Sequence, residues 1–285
     1  MSKTIRIIPR LDIKGPNVVK GIHLEGLRVM GRPSEFAEYY YQSGADELIF
    51  MDVVASLYER NSLHSIISET ARKIFIPLTV GGGLRTLEDI KMVLRAGADK
   101  VCINTAAIKD PNMITEAALK FGSSTIVVAI EAIRQTDGRY LAYTDNGREH
   151  TGIDAIEWAE KVNKLGAGEI VITSVDMEGT GEGFDVNLVK RVSEAVTIPV
   201  IAHGGAGKRE HIFDVINEGN CDAVTIASVL HYHFLMRHDA SAATSSEGNV
   251  EFLKQKRAFH KFNTITLGDL KTYLLQNGIS CRPAL

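Results

Sequence analysis

Two stretches of the chain share one pattern, Ile76-Pro-Leu-Thr-Val-Gly-Gly-Gly83 and Ile198-Pro-Val-Ile-Ala-His-Gly-Gly205, and they lie 122 residues apart (198 − 76 = 122). In each, a short apolar run ends in adjacent glycines, which is typical of a buried parallel strand followed by a tight turn. A second pair, Gly44-Ala-Asp-Glu-Leu-Ile49 and Gly166-Ala-Gly-Glu-Ile-Val171, repeats at the same offset (166 − 44 = 122). An internal repeat with one period indicates two halves built on the same plan.

Eight apolar runs rich in isoleucine and valine alternate with stretches of helical periodicity. Strands are predicted over residues 6–12, 47–52, 76–80, 100–104, 125–131, 169–173, 198–202 and 223–227, and helices over 34–43, 62–73, 86–96, 111–120, 153–165, 185–195 and 208–218. Near-continuous apolar strands indicate a parallel sheet covered by helices, and eight strand–helix units indicate a closed barrel. The sequence therefore predicts an α/β fold with a single domain over residues 1–285, a (β/α)₈ TIM barrel with a two-fold half-barrel repeat.

A polar segment over residues 234–265 precedes the last helix of the barrel. Its run Ser241-Ala-Ala-Thr-Ser-Ser246 is typical of a loop, so we expect a mobile insertion here. His231, His233 and His238 lie near its start and could bind a metal ion. They have no cysteine or carboxylate partner at ligand spacing, and we therefore expect no metal site.

The composition is that of a globular protein, with 45% hydrophobic and 24% charged residues and a formal net charge of −3 over 285 residues. No apolar run reaches the roughly 20 residues that cross a bilayer, and the first residues lack the apolar segment of a secretory signal. Three scattered cysteines without a CxxC motif argue against a disulfide framework and a zinc knuckle. We therefore expect a cytoplasmic protein that needs no cofactor and binds neither membranes nor nucleic acid.

Glycine-rich turns follow the third and seventh predicted strands, at the end of the barrel where chemistry takes place. Glycine lets the backbone approach an oxyanion, and the next helix N-terminus supplies N–H donors and a partial positive charge. One such cluster would indicate only a tight turn, but its repetition favours two phosphate sites across one mouth, for a ligand with a phosphate at each end. The predicted sites are Gly82, Gly83, Asn104 and Thr105 in the first half and Gly204, Gly205, Ala227 and Ser228 in the second, the latter extended by Glu178, Gly179 and Thr180.

Asp12 and Glu131 end the first and fifth strands, which face each other across an eight-stranded barrel. Alternation along the strands places both side chains on the inward face, with Arg10 one inward step below Asp12. Two carboxylates that flank a ligand suit general acid–base catalysis, in which one group takes a proton and the other gives one. Each carboxylate could instead cap a following turn, but their symmetric placement favours catalysis.

Four charged residues open strands at the opposite end of the barrel and share the inward parity: Arg6, Glu47, Lys100 and Glu169. Two charges of each sign would form a neutral ring there, because buried charges are costly unless they are paired. One interpretation is an ion-pair plug that serves stability. The other is a gate for a small molecule that enters the barrel from below, and the sequence leaves both open.

Several motifs together closely resemble the cyclase subunits of imidazole glycerol phosphate synthase, over about residues 5–233 and again near 266–282. They are Arg6-Ile-Ile, Leu11-Asp-Ile-Lys14, Val18-Val-Lys-Gly21, Thr79-Val-Gly-Gly-Gly83, Ala98-Asp-Lys-Val101, Ile103-Asn-Thr-Ala-Ala107, Gly166-Ala-Gly-Glu-Ile170, Glu178-Gly-Thr180 and Gly204-Gly-Ala-Gly-Lys208. The resemblance implies a lyase of histidine biosynthesis that forms a heterodimer with a glutaminase subunit. Ammonia from glutamine would cross the charged ring and react at the mouth with a bis-phosphorylated ribulosyl aminoimidazole-carboxamide ribotide. The products would be imidazole glycerol phosphate and aminoimidazole-carboxamide ribotide.

The same resemblance implies roles for individual residues. Asp12 matches a catalytic acid/base, and Lys20 matches a residue of the mobile first loop that closes over the substrate. The ring residues match the ammonia gate. Asp99, beside that gate, matches a position that helps to seat the glutaminase on the N-terminal face of the barrel.

The chain departs from the family pattern around the mouth. The second catalytic aspartate is Glu131, and the Asp-Gly-Thr motif after the sixth strand is Glu178-Gly179-Thr180. An added methylene moves a carboxylate by about 1.5 Å, and misplacement on this scale costs about 10²-fold in rate. Arg10 and His203 stand where the family has small residues. A fixed cation at Arg10 would favour the charged form of a nearby carboxylate or bind an acidic group of the substrate.

These departures leave a second hypothesis open, a paralogue that uses channelled ammonia to amidate or amidinate an acidic nucleotide-linked sugar for surface polysaccharide. A sister sugar isomerase is similar in its barrel and phosphate sites, but it has no use for ammonia, so the complete ring argues against it. A barrel kept only as a scaffold for a glutaminase would not need the phosphate turns or Asp12. We expect the cyclase of histidine biosynthesis.

Overall fold

The computed structural model describes residues 3–54, 63–237 and 262–284. Its strands are Arg6–Lys14 (β1), Asn17–Ile22 (β2), Glu25–Gly31 (β3), Leu48–Asp52 (β4), Leu78–Gly81 (β5), Lys100–Ile103 (β6), Ile126–Arg134 (β7), Tyr140–Thr144 (β8), Glu149–Asp154 (β9), Glu169–Ser174 (β10), Val200–His203 (β11) and Ala223–Ile226 (β12). Eight of them pair in parallel in the order β1-β4-β5-β6-β7-β10-β11-β12, and β12 pairs again with β1. The sheet is therefore a closed barrel, which confirms the predicted (β/α)₈ fold.

Two antiparallel hairpins, which the sequence pattern did not predict, extend the barrel at the same point of each half. β1 runs on to Lys14 and pairs with β2, which pairs with β3. β7 likewise runs on to Arg134 and pairs with β8, which pairs with β9. The predicted strands ended too early, at the carboxylates of residues 12 and 131, although Ile13, Ala132 and Ile133 continue the apolar pattern beyond them. Both hairpins leave the carboxyl ends of their strands, so they lie at the mouth.

The helices connect the strands and cover the barrel. They span Pro33–Gln42 (α1), His64–Ala71 (α2), Leu87–Ala96 (α3), Thr105–Lys109 (α4), Asn112–Phe121 (α5), Ala155–Lys164 (α6), Val186–Ala195 (α7), Arg209–Gly219 (α8), Ser228–Arg237 (α9) and Leu267–Gln276 (α10). α9 ends inside the insertion predicted over 234–265, so residues 234–237 are helical. Residues 238–261 of that prediction lie outside the described residues, and residues 262–265 form neither helix nor strand. In the described ranges, no helix is long and apolar enough to cross a membrane.

Apolar side chains form two large buried clusters, one between strands and helices and one inside the barrel. Alternation along each strand sends successive residues to the two clusters, so Ile7 packs outside the barrel and Ile8 packs inside it. The inner cluster contains Ile8, Ile49, Cys102, Val127, Ala129, Val171, Ile201 and Ala223. The same alternation turns the polar residues at both ends of these strands toward the barrel axis.

Three aspartates hold strand ends in register at the end of the barrel opposite the mouth. Each carboxylate accepts a hydrogen bond from the backbone N–H of the preceding barrel strand, at 2.7, 2.8 and 2.9 Å: Asp46 from Ile7, Asp99 from Leu78 and Asp222 from Val200. This structural role explains the presence of an aspartate at position 99 without any contact to a partner protein. Its contact with a glutaminase therefore stays a proposal.

Lys271 joins the last helix to this end of the barrel, and its side chain is buried. Its Nζ donates to a backbone carbonyl oxygen at 2.7 Å and to Asp46 Oδ1 at 2.8 Å. We expect Lys271→Met to lower the free energy of unfolding by about 1–3 kcal/mol, because these hydrogen bonds are lost while Asp46 keeps the guanidinium of Arg282. Urea unfolding measures the loss, with the exposed Lys164→Met as the control. Equal stability of the two variants would show that the buried amine contributes nothing.

Candidate functional site

The mouth of the barrel holds two buried carboxylates on opposite strands. Asp12 on β1 is 4% exposed, and Glu131 on β7 is 8% exposed. The strand register sets Asp12 beside Met51 of β4 and Glu131 beside Thr173 of β10. Three strands separate β1 from β7 in either direction around the barrel. The structure therefore places both carboxylates where the alternation of the sequence predicts them.

A buried arginine contacts the first of these carboxylates. Arg10 Nε lies 2.8 Å from Asp12 Oδ1, and the two side chains are 6% and 5% exposed. Burial lowers the pKa of the Arg10 guanidinium, but the charge and hydrogen bond of Asp12 raise it by more, so the pKa lies above its ordinary value. Arg10 therefore stays charged inside the mouth, and Asp12 supplies the partner that a buried charge requires.

The second carboxylate, Glu131, is held by a backbone group. Its Oε2 accepts a hydrogen bond of 2.8 Å from the N–H of Gly147, in the turn between β8 and β9. Burial raises the pKa of Glu131 to about 7, although the Gly147 hydrogen bond and the charge of Arg10 oppose this shift. A carboxyl group that titrates near neutral pH can donate a proton as readily as it accepts one.

The first predicted phosphate site has a backbone that lets an oxyanion approach. Gly82 and Gly83 have φ values of 98° and 69°, a region that glycine adopts readily. A Cβ atom on Gly82 would lie 2.2 Å from the backbone oxygen of Asp52, so a larger residue does not fit. Asn104 and Thr105 follow the neighbouring strand β6, and α4 begins at Thr105. The four predicted residues thus lie at adjacent strand ends.

The second predicted site repeats this backbone in the other half. Gly204 and Gly205 have φ values of 98° and 109°, and a Cβ atom on Gly205 would lie 1.8 Å from the backbone oxygen of Gly183. Ala227 and Ser228, where α9 begins, line one cavity together with these glycines. The cavity has a volume of about 20 Å³, which is little more than one water molecule occupies.

The β2–β3 hairpin is fastened over this second site by Lys20 and Glu178. The Lys20 ammonium pairs with Glu178 Oε1, and these side chains are 4% and 2% exposed. Glu178 Oε2 accepts a hydrogen bond from the N–H of Leu24 at 2.9 Å, and the Glu178 carbonyl oxygen accepts one from His23 at 2.9 Å. Both Lys20 and Glu178 line the small cavity. The Lys20 ammonium, which was expected to contact the substrate, therefore forms an ion pair with the Glu178 carboxylate in this structure.

The predicted extension of this site is only partly assembled. Gly179 lines the cavity, and Thr180 does not. Thr180 Oγ1 instead donates to the carbonyl oxygen of Met177 at 2.8 Å and accepts from the N–H of Glu182 at 3.2 Å. The hydroxyl therefore stabilises its own turn, as serine and threonine side chains in turns commonly do. The sequence motif alone does not show whether the hydroxyl group binds a phosphate or stabilises its own turn.

The four charged residues at the other end form one closed ring of ion pairs. Arg6 Nη1 lies 2.7 Å from Glu47 and 2.8 Å from Glu169, and Lys100 Nζ lies 3.0 and 3.2 Å from the same two carboxylates. Burial lowers the pKa of Arg6, but Glu169 and Glu47 raise it by more. The charges alternate around the ring, so each is neutralised by two neighbours. Both the plug and the gate are compatible with this geometry.

Comparison with known proteins assigns the chain to a family. A family model described as "Histidine biosynthesis protein" matches residues 6–235. A Legionella pneumophila protein named imidazole glycerol phosphate synthase subunit HisF is 60% identical over 206 residues, which are 72% of this chain and 97% of the relative. The chain belongs to this family of cyclase subunits. An Alkaliphilus metalliredigens protein of the same name is 48% identical over 230 residues, or 81% of this chain and 91% of the relative.

Membership of the HisF family confirms the resemblance drawn from the motifs, and the chain is an enzyme of histidine biosynthesis.

The structure adds a mouth residue that the sequence analysis missed, Thr225 on β12. It lines the second cavity, and its buried Oγ1 has no hydrogen-bond partner among the described residues. The inward parity that Thr225 shares with Ala223 could have identified it. His231, considered above for metal binding, is instead buried against the Tyr40 hydroxyl at 2.6 Å.

Proposed function

We propose that this enzyme is the lyase subunit of a cytoplasmic imidazole glycerol phosphate synthase. It converts a bis-phosphorylated ribulosyl aminoimidazole-carboxamide ribotide and ammonia to imidazole glycerol phosphate and aminoimidazole-carboxamide ribotide. The observation that carries the proposal is the buried pair Asp12 and Glu131 between two glycine turns that repeat across the mouth. The names of the relatives favour this substrate over a nucleotide-linked sugar.

The substrate would span the mouth with one phosphate at each glycine turn. In the first half the backbone at Gly82 and Gly83 offers N–H groups without a side chain in the way, and in the second half the N-terminus of α9 adds its dipole. The second cavity is smaller than a phosphate group. Lys20 would therefore exchange the carboxylate of Glu178 for the phosphate, since an ammonium group pairs with either anion.

The two carboxylates would carry the proton transfers that ring closure requires. Addition of ammonia to a carbonyl group and loss of water both need one group that accepts a proton and one that donates a proton. Asp12 and Glu131 approach the ligand from opposite sides of the mouth. Their unlike surroundings, a guanidinium beside Asp12 and a backbone N–H at Glu131, suit two different roles.

The barrel interior would carry ammonia from the ring to the mouth. Between the two ends lies the inner cluster of apolar side chains, a surrounding that favours neutral ammonia over the ammonium ion. Burial raises the pKa of the Cys102 thiol in this cluster to about 12, so it stays neutral. We propose a glutaminase subunit as the partner in a heterodimer. It would dock on the N-terminal face over the ring, with Asp99 in the interface.

An assay with the purified full-length protein tests this function. Ammonium chloride and the ribulosyl bisphosphate are expected to give both products in equal amounts, and omission of ammonium is expected to stop the reaction. An acidic nucleotide-linked sugar is assayed in parallel under the same conditions. Turnover of the sugar alone would overturn the assignment to histidine biosynthesis.

The N-terminal face carries a groove with an exposed aromatic side chain that suits such a partner. Phe75 is 80% exposed there, and it lines a groove of about 330 Å³ together with Ile74, Ile76 and Asp99. Exposed aromatic residues are frequent anchors of interfaces. We expect Phe75→Ser to raise the Kd for the glutaminase about tenfold, measured by titration calorimetry. The control is Ile22→Ser, an exposed apolar residue at the mouth. An unchanged Kd for Phe75→Ser would exclude this groove from the interface.

A further inference from the structure

Arg10 is a buried cation beside the proposed acid–base group Asp12. It lies on β1 one inward step from Asp12 and is 5% exposed. Its Nε lies 2.8 Å from Asp12 Oδ1, and its Nη1 lies 3.3 Å from His203 Nδ1 on β11. A buried guanidinium with a carboxylate on one edge and an imidazole on the other is fixed in place. Arg10 is therefore a rigid link between the proposed acid–base group and the second phosphate site.

The protonation state of His203 supports this description. Burial lowers the pKa of His203 well below its ordinary value, and the charges of Arg10 and Lys20 lower it further, so the imidazole is neutral. A guanidinium only donates hydrogen bonds, so Nδ1 must accept from it and the ring proton must lie on Nε2. Thr173 Oγ1 lies 3.2 Å from the same Nδ1. His203 thus braces Arg10 without competing for its negative partner.

The contact with Arg10 also fixes the orientation of Asp12. Among the described residues, the hydrogen bond between Arg10 and this carboxylate engages Oδ1 and not Oδ2. The hydrogen bond between the guanidinium and this buried carboxylate restricts the rotation of the Asp12 side chain. Because Nε of Arg10 contacts Asp12 and Nη1 contacts His203, the structure favours a role in holding Asp12.

We propose that Arg10, braced by His203, is a positioning residue that makes Asp12 the general base of the cyclase site and leaves Glu131 as the general acid. This inference rests on the proposed function and adds a direction to its proton transfers. Asp12 takes one proton from the reacting nitrogen, and Glu131 gives one proton to the departing oxygen. Exchange with solvent returns both groups to their starting states after each turnover.

The unlike environment of Glu131 completes the assignment. Burial raises the pKa of Glu131 to about 7, so a large share of it carries a proton at neutral pH. The charge of Arg10 also lowers the pKa of Glu131, but it does so through space and without a hydrogen bond. The charged and titratable groups of the described residues that face Asp12 and Arg10 from the other elements include Lys20 on the hairpin, Cys102 on β6, Glu131 on β7, Glu178 after β10, His203 on β11 and His231 on α9.

The test compares Arg10→Met, which removes the charge, with Arg10→Lys, which keeps it. Both kcat and KM are measured at neutral pH and at a constant concentration of free ammonia. We expect Arg10→Met to lower kcat about 10²-fold and to leave KM for the bisphosphate within about threefold. Arg10→Lys should restore part of kcat. The control is Arg139→Met, which removes an exposed Arg–Asp pair of the same 2.8 Å length.

A crystal structure of Arg10→Met gives a second readout that needs no turnover. The Asp12 side chain is expected to leave its wild-type orientation in this variant and to keep it in Arg10→Lys, because the contact with Arg10 holds it. An unchanged Asp12 orientation in Arg10→Met, or a kcat that does not fall, would overturn the proposal. Absence of wild-type turnover would refute the proposed function, and the orientation of Asp12 would still decide the role of Arg10. Should Arg10→Met fail to fold, Arg10→Gln replaces it in both measurements.

Discussion

Asp12→Asn is expected to lower turnover with ammonium salts by about 10³-fold or more, and to leave the affinity for a bisphosphate ligand nearly unchanged. Asparagine has the shape of aspartate but neither accepts nor holds a catalytic proton. Asp12 lies at the mouth between the two glycine turns and lines neither of them, so the phosphate contacts are separate from it. The measurement is steady-state turnover together with calorimetric binding of a bisphosphate substrate analogue.

The same substitution has a structural cost that must be measured beside activity. It removes the charge that pairs with Arg10, and a buried cation left without its partner destabilises a protein by about 3–5 kcal/mol. Thermal unfolding shows whether the variant is folded at the assay temperature. The matched control is Asp176→Asn, an exposed carboxylate at the same end of the barrel that accepts a hydrogen bond from Arg134 N–H. Full turnover by folded Asp12→Asn would remove Asp12 from the acid–base role.

The position of this carboxylate could be predicted from the sequence because strand geometry is periodic. Side chains alternate between the two faces of a strand, so Arg6, Ile8, Arg10 and Asp12 share the inward face once β1 is recognised. The offset of 122 residues then relates Gly82 to Gly204, and the two glycines indeed have the same φ value of 98°. Both features depend on local pattern and on one topological rule, closure of eight strands.

Contacts between distant side chains could not be predicted in this way. Lys20 and Glu178 are 158 residues apart and Arg10 and His203 are 193 apart, and each pair meets only after the barrel has closed. Which anion the Lys20 amine contacts depends on side-chain length and on the hairpin, which the apolar pattern does not reveal. The same limit explains Thr180, whose motif indicates a phosphate site while its hydroxyl bonds within its own turn.

Lys100→Met is expected to show whether the charged ring is a gate for ammonia or an ion-pair plug that serves stability. The substitution leaves Glu47 and Glu169 with Arg6 as their shared cation, so the neutral ring gains a net negative charge. We expect glutamine-dependent turnover in the complex with the glutaminase to fall about tenfold or more, because ammonia escapes or is protonated at a ring that no longer closes. Turnover with added ammonium salts should stay within about threefold, because ammonia from solution reaches the mouth directly.

Breaking a buried ion-pair network also costs stability, which allows the plug and the gate to be tested in one variant. Loss of one partner from such a network costs about 3–5 kcal/mol, whereas Lys3→Met removes an exposed pair with Asp222 at the same end and should cost about 0–1 kcal/mol. A gate predicts that Lys100→Met loses both stability and the coupling of glutamine hydrolysis to product formation. A plug predicts loss of stability alone, with one glutamate released per product as in the wild type. Retained coupling in folded Lys100→Met would therefore exclude the gate, and ammonia would have to enter the barrel by another route.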